Sequence, residues 1–506
     1  MEPRMHMNED GSQTNAGKDR VSVPVETMTR ALPRTTLPSH PRSSGGHLLS
    51  SALLACVATL LASCTVGPSY ERPRVETPAA YKEAGDWVTA VPKDTAPKGQ
   101  WWKAFNDPVL DGLVEQVAVS NQTLAATEAR YRQARAAVQQ ARASLFPTLG
   151  ASAGASRSGR GQGGSANSFN LGLDVRWEAD LWGGIRRAIE AAGAAAEASQ
   201  ADLDAARLSL QAELATDYFQ LRVTDVQRDL FQDTVQAFQR SLDIANNRYK
   251  AGVAGKVDVV EAESQLRSAQ AQALDLEVSR SQLENAIALL VGKPAGDFRV
   301  PSTPFNARIP QIPPGLPSTL LERRPDIAAA ERRVAAANAR IGVAQAAFFP
   351  SLTLTGNGGF AGSSLSHLVS APNRVWSLGL GLADTLLDFG ARSAQVESAR
   401  GAYDEAVANY RETVLAAFQD VENNLAAIHW LSLEGDVQQE AARLARESVV
   451  LTVNQYKAGT VSYLNVVTVQ ATQLSEERQS VALLGRRLAA TVGLVRGIGG
   501  DWQPPK

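Results

Sequence analysis

Histidine and cysteine are scarce in this sequence. Its 506 residues include 5 histidines and 2 cysteines. Three of the histidines precede residue 48, and the cysteines, Cys56 and Cys64, lie close together in one apolar run. Little therefore remains for a disulfide framework or for a metal site built from cysteine and histidine. We expect neither a metal nor a cofactor.

A large excess of charge of one sign is also absent. The 50 lysines and arginines are balanced by 52 aspartates and glutamates, which leaves a formal net charge of −2. This balance gives no electrostatic reason to expect a nucleic-acid partner.

Motifs for catalysis are weak or missing. Residues 159–164 match the G-x-G-x-x-G dinucleotide fingerprint, but they lie in a Gly/Ser-rich tip without the strand-to-helix unit that the chemistry requires. His367 lies in a second such tip, and His429 is better explained as a packed or surface residue than as a general base. We therefore do not expect an enzyme.

Proline is missing from two long stretches, residues 185–249 and 392–456. A continuous helix of about 65 residues would be about 97 Å long at 1.5 Å per residue, whereas ordinary helices have about 11–12 residues. Such a helix needs support along its length, which a bundle of similar helices usually provides. The stretches predict two long helices in a coiled-coil arrangement.

The two stretches are copies of each other. They end in Arg-Tyr-Lys-Ala-Gly at 248–252 and in Gln-Tyr-Lys-Ala-Gly at 455–459, an offset of 207 residues. A glycine there suits the left-handed residue that follows a helix. Apolar residues at alternating steps of three and four predict a heptad seam in both copies. The second seam comprises Val407, Tyr410, Val414, Ala417, Val421, Asn424, Ile428 and Leu431, and the sparser first one comprises Leu203, Leu210, Leu214 and Leu221.

The first 63 residues are predicted to be a disordered leader followed by a lipoprotein signal peptide. Residues 1–46 are polar and lack apolar periodicity, so we expect disorder there, or a later translation start such as Met28. Residues 48–62 are apolar and follow several arginines, and they suit a signal-peptide core better than a membrane-spanning helix. The run ends in Leu-Ala-Ser-Cys, which resembles a bacterial lipobox, so that Cys64 would be acylated and become the first residue. An ordinary buried cysteine is the alternative.

Four short segments alternate between apolar and polar residues. They are residues 149–156, 169–177, 351–355 and 376–382. One apolar face, one polar face and aromatic residues at the ends match transmembrane β-strands of about 9–11 residues. A soluble, half-buried sheet is the alternative that periodicity alone leaves open.

Four strands are too few to close a barrel in a membrane. Outer-membrane barrels begin at about eight strands, and an unpaired strand edge in lipid leaves backbone groups without hydrogen bonds. The chain should therefore be an oligomer. Because eight strands enclose an interior filled by side chains while larger barrels leave a channel, a conduit favours three or more copies.

The chain is expected to divide into six segments. After the leader, residues 64–106 are rich in proline and tryptophan and are predicted to lie extended along the surface. Residues 107–292 and 325–499 form two repeats, joined by a proline-rich, equatorial linker at 293–324, and residues 500–506 form a short polar tail. Further helices are predicted at 108–145, 257–290, 325–348 and 464–495.

Several short motifs, individually weak, together carry a family likeness. They are Cys64 with Gly67-Pro68-x-Tyr70-x-Arg72-Pro73; Trp101-Trp102-x-x-Phe105-x-Asp107-Pro108-x-Leu110; the two Phe-Pro strand starts; Asp180-Leu181-Trp182-Gly183; Leu387-Asp388-Phe389-Gly390; residues 321–327; and the two Tyr-Lys-Ala-Gly turns. In this order they resemble the TolC-like outer-membrane efflux channels, specifically the NodT-type lipoproteins that serve RND pumps. The likeness covers nearly everything from Cys64 onward.

The resemblance implies a mainly α fold with a transmembrane β-barrel portion. Duplicated long coiled-coil helices would form an α-barrel, and four β-strands per chain would complete a trimeric, twelve-stranded barrel in outer-membrane lipid. The α-barrel would extend into the periplasm, where a membrane-fusion adaptor and an inner-membrane RND transporter would open its closed tip. Thr65 after the cysteine, where aspartate would signal inner-membrane retention, agrees with that location.

The same resemblance makes the two turns candidate adaptor-docking tips. Any long helical hairpin needs a turn, however, and this plain structural role is the alternative. The residues concerned are Arg248, Tyr249, Gly252, Gln455, Tyr456 and Gly459.

Candidate gate residues follow each turn. Related channels often carry acidic residues after the second turn, where a carboxylate ring can select cations and hold the gate. Here those positions are Asn465 and Thr468, whereas acidic residues occur in the first copy, at Asp258 and Glu261. We therefore expect a gate held by neutral hydrogen bonds and packing, with Tyr463 as a further candidate. Solvated helix charges are the alternative role for the two acidic residues.

Together these features predict a passive outer-membrane exit channel of a tripartite, RND-type efflux system that exports small toxic compounds. An exit channel for type I protein secretion and a periplasmic coiled-coil scaffold lipoprotein are the alternatives. A scaffold would have no use for the alternating strands. The sequence leaves open whether the cargo is drugs, solvents, metal ions or acylated sugars.

Overall fold

The computed structural model describes residues 65–82, 99–159, 161, 164–305, 309–310, 312, 317 and 323–500. The predicted leader, the acylation site Cys64 and most of the tail lie outside the described residues. The elements are, in chain order, α1 Pro108–Ser120, α2 Gln122–Ala143, β1 Thr148–Gly159, β2 Ser165–Ala179, α3 Gly184–Lys250, α4 Lys256–Leu290, α5 Pro325–Ala346, β3 Ser351–Gly362, β4 Arg374–Ala383, α6 Ala391–Ala458 and α7 Tyr463–Gly497. Among the described helices, none combines the length and apolar character needed to cross a membrane.

The two proline-free stretches form the long single helices α3 and α6. At 1.5 Å per residue, each is about 100 Å long. Each folds back at its end onto a shorter helix, α3 onto α4 and α6 onto α7. Near the sheet, the helices neighbour one another in the order α2, α3, α5, α6. The predicted fold class, with duplicated long helical hairpins, is confirmed.

The heptad seam of α6 is buried where it faces α7. Val414, Ala417 and Val421 are fully buried. Asn424 interrupts the apolar stripe because it faces a glycine of α7: a Cβ at Gly493 would clash with the Asn424 amide oxygen. The adjacent Leu425 is fully buried.

Residues 108–143 form two helices rather than the single predicted one. The chain breaks at Asn121, whose side-chain oxygen accepts a hydrogen bond from the Leu124 amide at 2.9 Å and so caps α2. The Asn121 side-chain amide donates to the Leu290 carbonyl at 2.8 Å, and the Ser120 hydroxyl donates to the Val291 carbonyl at 2.7 Å. The break therefore docks this segment on the end of α4.

Two tryptophans just before α1 are buried, although the sequence predicted an extended surface segment there. Trp101 and Trp102 lie in the short 3-10 helix Trp101–Phe105 and are 2% and 6% exposed. Phe105 packs on Phe219 of α3 with ring centroids 4.8 Å apart. Residues 65–82, by contrast, have no helix or strand and follow the surfaces of α3 and α5.

The four strands form one antiparallel sheet in the order β1-β2-β3-β4. The register places Leu173 opposite Ala151 and Gly358, and Asp174 opposite Gly150 and Asn357. Because directly opposed residues share a face, one face of the sheet is apolar and the other polar. The apolar face includes Leu149, Leu171, Leu173, Val175, Trp177, Leu354, Trp376, Leu378, Leu380 and Leu382, and the polar face includes Ser152, Asn170, Asp174, Arg176, Thr353, Thr355, Asn357 and Ser377.

This sheet leaves an apolar surface and two strand edges uncovered. Trp376 and Leu378 are 77% and 81% exposed. Among the described strands, β1 and β4 each have a partner on one side only. Both features match the predicted transmembrane strands.

A buried ionic network fixes the segment after α4 against the first hairpin. Asp225 is 3% exposed and lies between two arginines: Arg280 Nε donates to it at 2.8 Å, and Arg222 Nη1 is 3.4 Å away. The same arginines donate to the carbonyls of Val300 and Pro301 at 2.8 and 2.7 Å. One carboxylate thus holds together two helices and the start of the linker.

We expect Asp225→Ala to lower the free energy of unfolding by about 3–5 kcal/mol, because the buried Arg222 would lose its counter-charge and Arg280 would lose one of its two carboxylate partners. Thermal unfolding of the purified protein measures the change. Asp229→Ala, at a position on the same helix whose side chain is 67% exposed, is the matched control and should leave the melting temperature nearly unchanged. Equal melting temperatures for the two variants would contradict this role.

Candidate functional site at the hairpin tips

Both hairpins end in turns of the predicted type. α3 ends before Gly252, which has φ +71°, and α6 ends before Gly459, which has φ +78°. Only glycine adopts this left-handed conformation without strain. The amides that follow close both turns, with Val253 donating to the Arg248 carbonyl and Thr460 to the Gln455 carbonyl, each at 3.0 Å.

Tyr456 connects the two hairpins. It lies in the last turn of α6 and is 3% exposed. Its hydroxyl donates a hydrogen bond to Asp258 Oδ2, in the first turn of α4, at 3.2 Å. Burial, followed by the charge of Asp258, raises the pKa of Tyr456 above its usual value. The hydroxyl therefore keeps its proton, and remains a donor, throughout the neutral range.

Arg248 makes a second connection between the hairpins. Its guanidinium lies 4.7 Å from the centroid of the Tyr456 ring, and its Nη1 donates to the Lys457 carbonyl at 3.1 Å. A cation over an aromatic face contributes about 0.5–1 kcal/mol at an exposed site and more when desolvated. Two residues of the first hairpin thus hold Tyr456: Arg248 contacts its ring face, and Asp258 accepts the hydrogen bond from its hydroxyl.

A small apolar core lies behind these polar contacts. Tyr463, at the start of α7, is 1% exposed, and its ring lies 5.3 Å from that of Tyr456 in an edge-on arrangement. Ala245, Ala262 and Val466 complete the cluster. Burial raises the pKa of Tyr463 to about 12. The tip therefore combines packing with a hydrogen bond to a carboxylate.

The structure separates the candidate gate residues into two groups. Asp258 and Tyr463 meet around Tyr456, and Glu261 is half-buried nearby on α4. Asn465 and Thr468 are exposed on α7, where the Thr468 hydroxyl donates to the Leu464 carbonyl of its own helix at 2.9 Å. Asn465 and Thr468 therefore take no part in the contact between hairpins of one chain.

The two tips are not equivalent, despite their identical Tyr-Lys-Ala-Gly sequences. Tyr249, the counterpart of Tyr456, is 45% exposed. At the offset of 207 residues, Asp258 and Lys256 of the first copy correspond to Asn465 and Tyr463 of the second. The residues that bury Tyr456 thus come partly from positions where the copies differ. The sequence analysis did not predict that Tyr456 contacts Arg248 and Asp258. The sequence difference between the two copies at Asp258 and Asn465, and at Lys256 and Tyr463, could have indicated that the two tips pack differently.

A second group of contacts lies at the opposite end of α3, where β2 ends. The Val66 amide donates to the Trp182 carbonyl at 3.0 Å, and Arg187 donates to the carbonyls of Val66 and Gly67 at 3.1 Å each. Gly67 has φ +108°, and a Cβ there would clash with Gly342 of α5. The chain directly after position 64 is therefore fixed at the junction between strands and helices.

Comparison with known proteins identifies the fold and its class. The model of the outer membrane efflux protein family matches residues 113–293 and 316–500. The chain belongs to this family. The family is one of channels rather than enzymes, and its members work as trimers with an adaptor and an inner-membrane pump. The predicted outer-membrane location, with helices extending into the periplasm, and the predicted role in efflux are thereby confirmed.

Individual relatives support this assignment over nearly the whole chain. The pyoverdine export outer membrane protein OpmQ of Pseudomonas aeruginosa is 32% identical over 466 residues, which cover 90% of this chain and 97% of OpmQ. Nodulation protein T of Rhizobium leguminosarum bv. trifolii is 32% identical over 432 residues, covering 84% of this chain and 91% of the relative. The solved structure of the outer-membrane channel OprN has a TM-score of 0.81 and 31% identity, covering 87% of this chain and 100% of OprN.

We expect Tyr456→Phe to loosen the tips, because it removes the hydrogen bond to Asp258 and keeps the ring. A hydrogen bond to a charged acceptor contributes about 1.5–3 kcal/mol, so amide hydrogen exchange at the ends of α3 and α6 should accelerate by about tenfold or more. Tyr249→Phe makes the same chemical change in the exposed counterpart and should leave exchange unaltered. Unchanged exchange in Tyr456→Phe would show that the hydroxyl does not join the hairpins.

Proposed function

We propose that three copies of this chain form the passive outer-membrane exit channel of a tripartite efflux system. The observation that carries the proposal is the sheet, which has one apolar face, one polar face and two free edges. Pairing β4 of one copy with β1 of the next satisfies every edge and gives a closed barrel of twelve strands. The polar face, with Asp174 and Asn357, then lines the lumen, and Leu378 and its neighbours contact lipid.

The long helices would continue this conduit into the periplasm. α2, α3, α5 and α6 lie side by side, and repetition around a three-fold axis closes them into an α-barrel. We assign residues 107–292 and 325–499 to the two repeats of each protomer, with the segment 293–324 as the equatorial linker. The ionic network around Asp225 supports this role, since it ties the start of the linker to the first hairpin.

The tips are proposed to serve as both the adaptor-docking surface and the gate. Tyr249 and Gln455 are exposed and accessible to a periplasmic membrane-fusion adaptor, which would link the channel to an inner-membrane RND transporter. The contact between Tyr456 and Asp258, reinforced by Arg248, holds the hairpins of each protomer together. A partner that separates the hairpins must break this contact, so that opening depends on the partner.

This gate differs in one respect from the expected one. The sequence predicted neutral hydrogen bonds and packing around Tyr463. The packing is present, but the hydrogen-bond acceptor is the carboxylate of Asp258. Because that carboxylate is engaged within the protomer and Asn465 and Thr468 are uncharged, we still expect trivalent cations to block the channel weakly.

The cargo is proposed to be small toxic compounds, selected by the pump rather than by the channel. OpmQ is named for pyoverdine export, and a channel of this architecture provides a route without chemistry. A protein-secretion exit channel remains the alternative.

Channel activity is tested in planar lipid bilayers. Wild-type protein should insert as a trimer and give rare, small openings, and Tyr456→Phe should raise the conductance severalfold because the hairpins separate more readily. Tyr249→Phe should behave like wild type. A purified protein that stays monomeric and gives no conductance in any variant would overturn the proposal. Strong block by micromolar trivalent cations would instead point to an acidic ring in the pore.

Cys64 is proposed to carry the lipid anchor. The hydrogen bonds of Val66 and Gly67 to the residues where β2 meets α3 support it, because they bring the start of the mature chain to the membrane surface. Cells grown with labelled palmitate should incorporate the label into wild-type protein and not into Cys64→Ser. Cys56→Ser is the control and should retain the label; incorporation into Cys64→Ser would contradict the assignment.

A further inference from the structure

The half of the sheet farthest from the helices carries arginines and no acidic residues. Neither residues 148–173 nor residues 351–383 contain aspartate or glutamate. Arg157 lies near the end of β1, and Arg374 is the first residue of β4. Both side chains are exposed. This end of the sheet therefore has a positive electrostatic potential.

Both arginines project from the apolar face. Residues two apart on a strand share a face. Arg374 precedes Trp376 by two residues and is paired with Phe360, while Arg157 follows Ala155 by two. These arginines therefore point toward the surroundings of the proposed barrel and not into its lumen, where a charged cargo would pass.

Their height along the strands corresponds to the level of lipid headgroups. The strand from Leu149 to Arg157 has nine residues, and a tilted transmembrane strand crosses the apolar core of the membrane with about 9–11 residues. Trp376 is 77% exposed, and exposed aromatic residues concentrate at the membrane–water interface. Arg374 lies just beyond that aromatic residue.

The guanidinium groups have donors available for an external acceptor. Nε and Nη2 of Arg157 donate to the Ser165 hydroxyl oxygen at 3.1 and 2.8 Å, which orients the group. A guanidinium has five N–H donors, so further donors of Arg157 remain. A planar guanidinium binds phosphate with two parallel hydrogen bonds.

We propose that Arg157 and Arg374 bind the phosphate groups of glycolipids in the outer leaflet of the outer membrane. The inference rests on the proposed trimeric barrel, in which β4 of one protomer lies beside β1 of the next. Each site then forms at a seam between subunits, with Arg374 from one protomer and Arg157 from its neighbour. A lipid held there by both would bridge the seam.

Native mass spectrometry of the detergent-solubilised trimer tests this site. The probes are diphosphorylated lipid A and the same lipid with its phosphates removed. The wild type should prefer the phosphorylated form, and the double variant Arg157→Gln with Arg374→Gln should bind it about tenfold less tightly, because charge-assisted bonds to phosphate are lost. The corresponding double lysine variant should retain part of the binding.

Arg176→Gln is the matched control, because Arg176 lies on the polar face of β2. It should bind the lipid like wild type. Equal binding of both lipid forms by wild type, wild-type binding by the double glutamine variant, or an equal loss in Arg176→Gln would each overturn the proposal. If the double variant fails to form trimers, the two single glutamine variants are compared in the same way.

Planar-bilayer recordings of the same samples separate this inference from the proposed function. The double glutamine variant should keep the conductance and ion selectivity of wild type. Altered selectivity would place the arginines in the lumen and overturn the lipid assignment. Absence of conductance in the wild type, with phosphate-dependent lipid binding intact, would instead overturn only the channel.

Discussion

The hydrogen-bonding requirement of backbone groups in lipid governs this structure. A strand edge in a membrane has no water to satisfy its amides and carbonyls. The sheet of one chain is apolar on one face and has unpaired edges on β1 and β4, so it meets the requirement only by adding strands from other copies. In the proposed channel, trimer formation would therefore be a condition for membrane insertion rather than a later association of finished subunits. The helices would share the same three-fold arrangement, because β2 and β4 continue directly into α3 and α6.

Helices and strands with a regular local sequence pattern were predictable from the sequence. The absence of proline predicted α3 and α6, the spacing of apolar residues at three and four predicted their seams, and alternation predicted all four strands. Features set by contacts distant in sequence were not. The break at Asn121 depends on carbonyls at Leu290 and Val291, and the packing of Phe105 depends on Phe219 of α3. Nothing in the local sequence shows either contact.

The tips illustrate the same limit within a duplicated chain. Tyr249 and Tyr456 have the same three residues after them, yet one is exposed and the other buried. Local sequence predicts the turn in both cases. The difference arises from Asp258, which is 198 residues from Tyr456 in the chain, and from Tyr463, whose counterpart is a lysine. Duplication thus supplied two similar hairpins, and divergence at a few positions made only one tyrosine part of the contact between them.

The fixed start of the described chain has a consequence for assembly. The Val66 amide donates a hydrogen bond to the Trp182 carbonyl. The two residues from Val66 back to Cys64 can span only about 7 Å. An acyl group on that cysteine would therefore tether each newly exported protomer to the bilayer surface with almost no slack. Tethering confines the search for sister protomers to two dimensions and raises their effective concentration. The anchor would thus favour trimer formation at low copy number, in addition to retaining the finished channel.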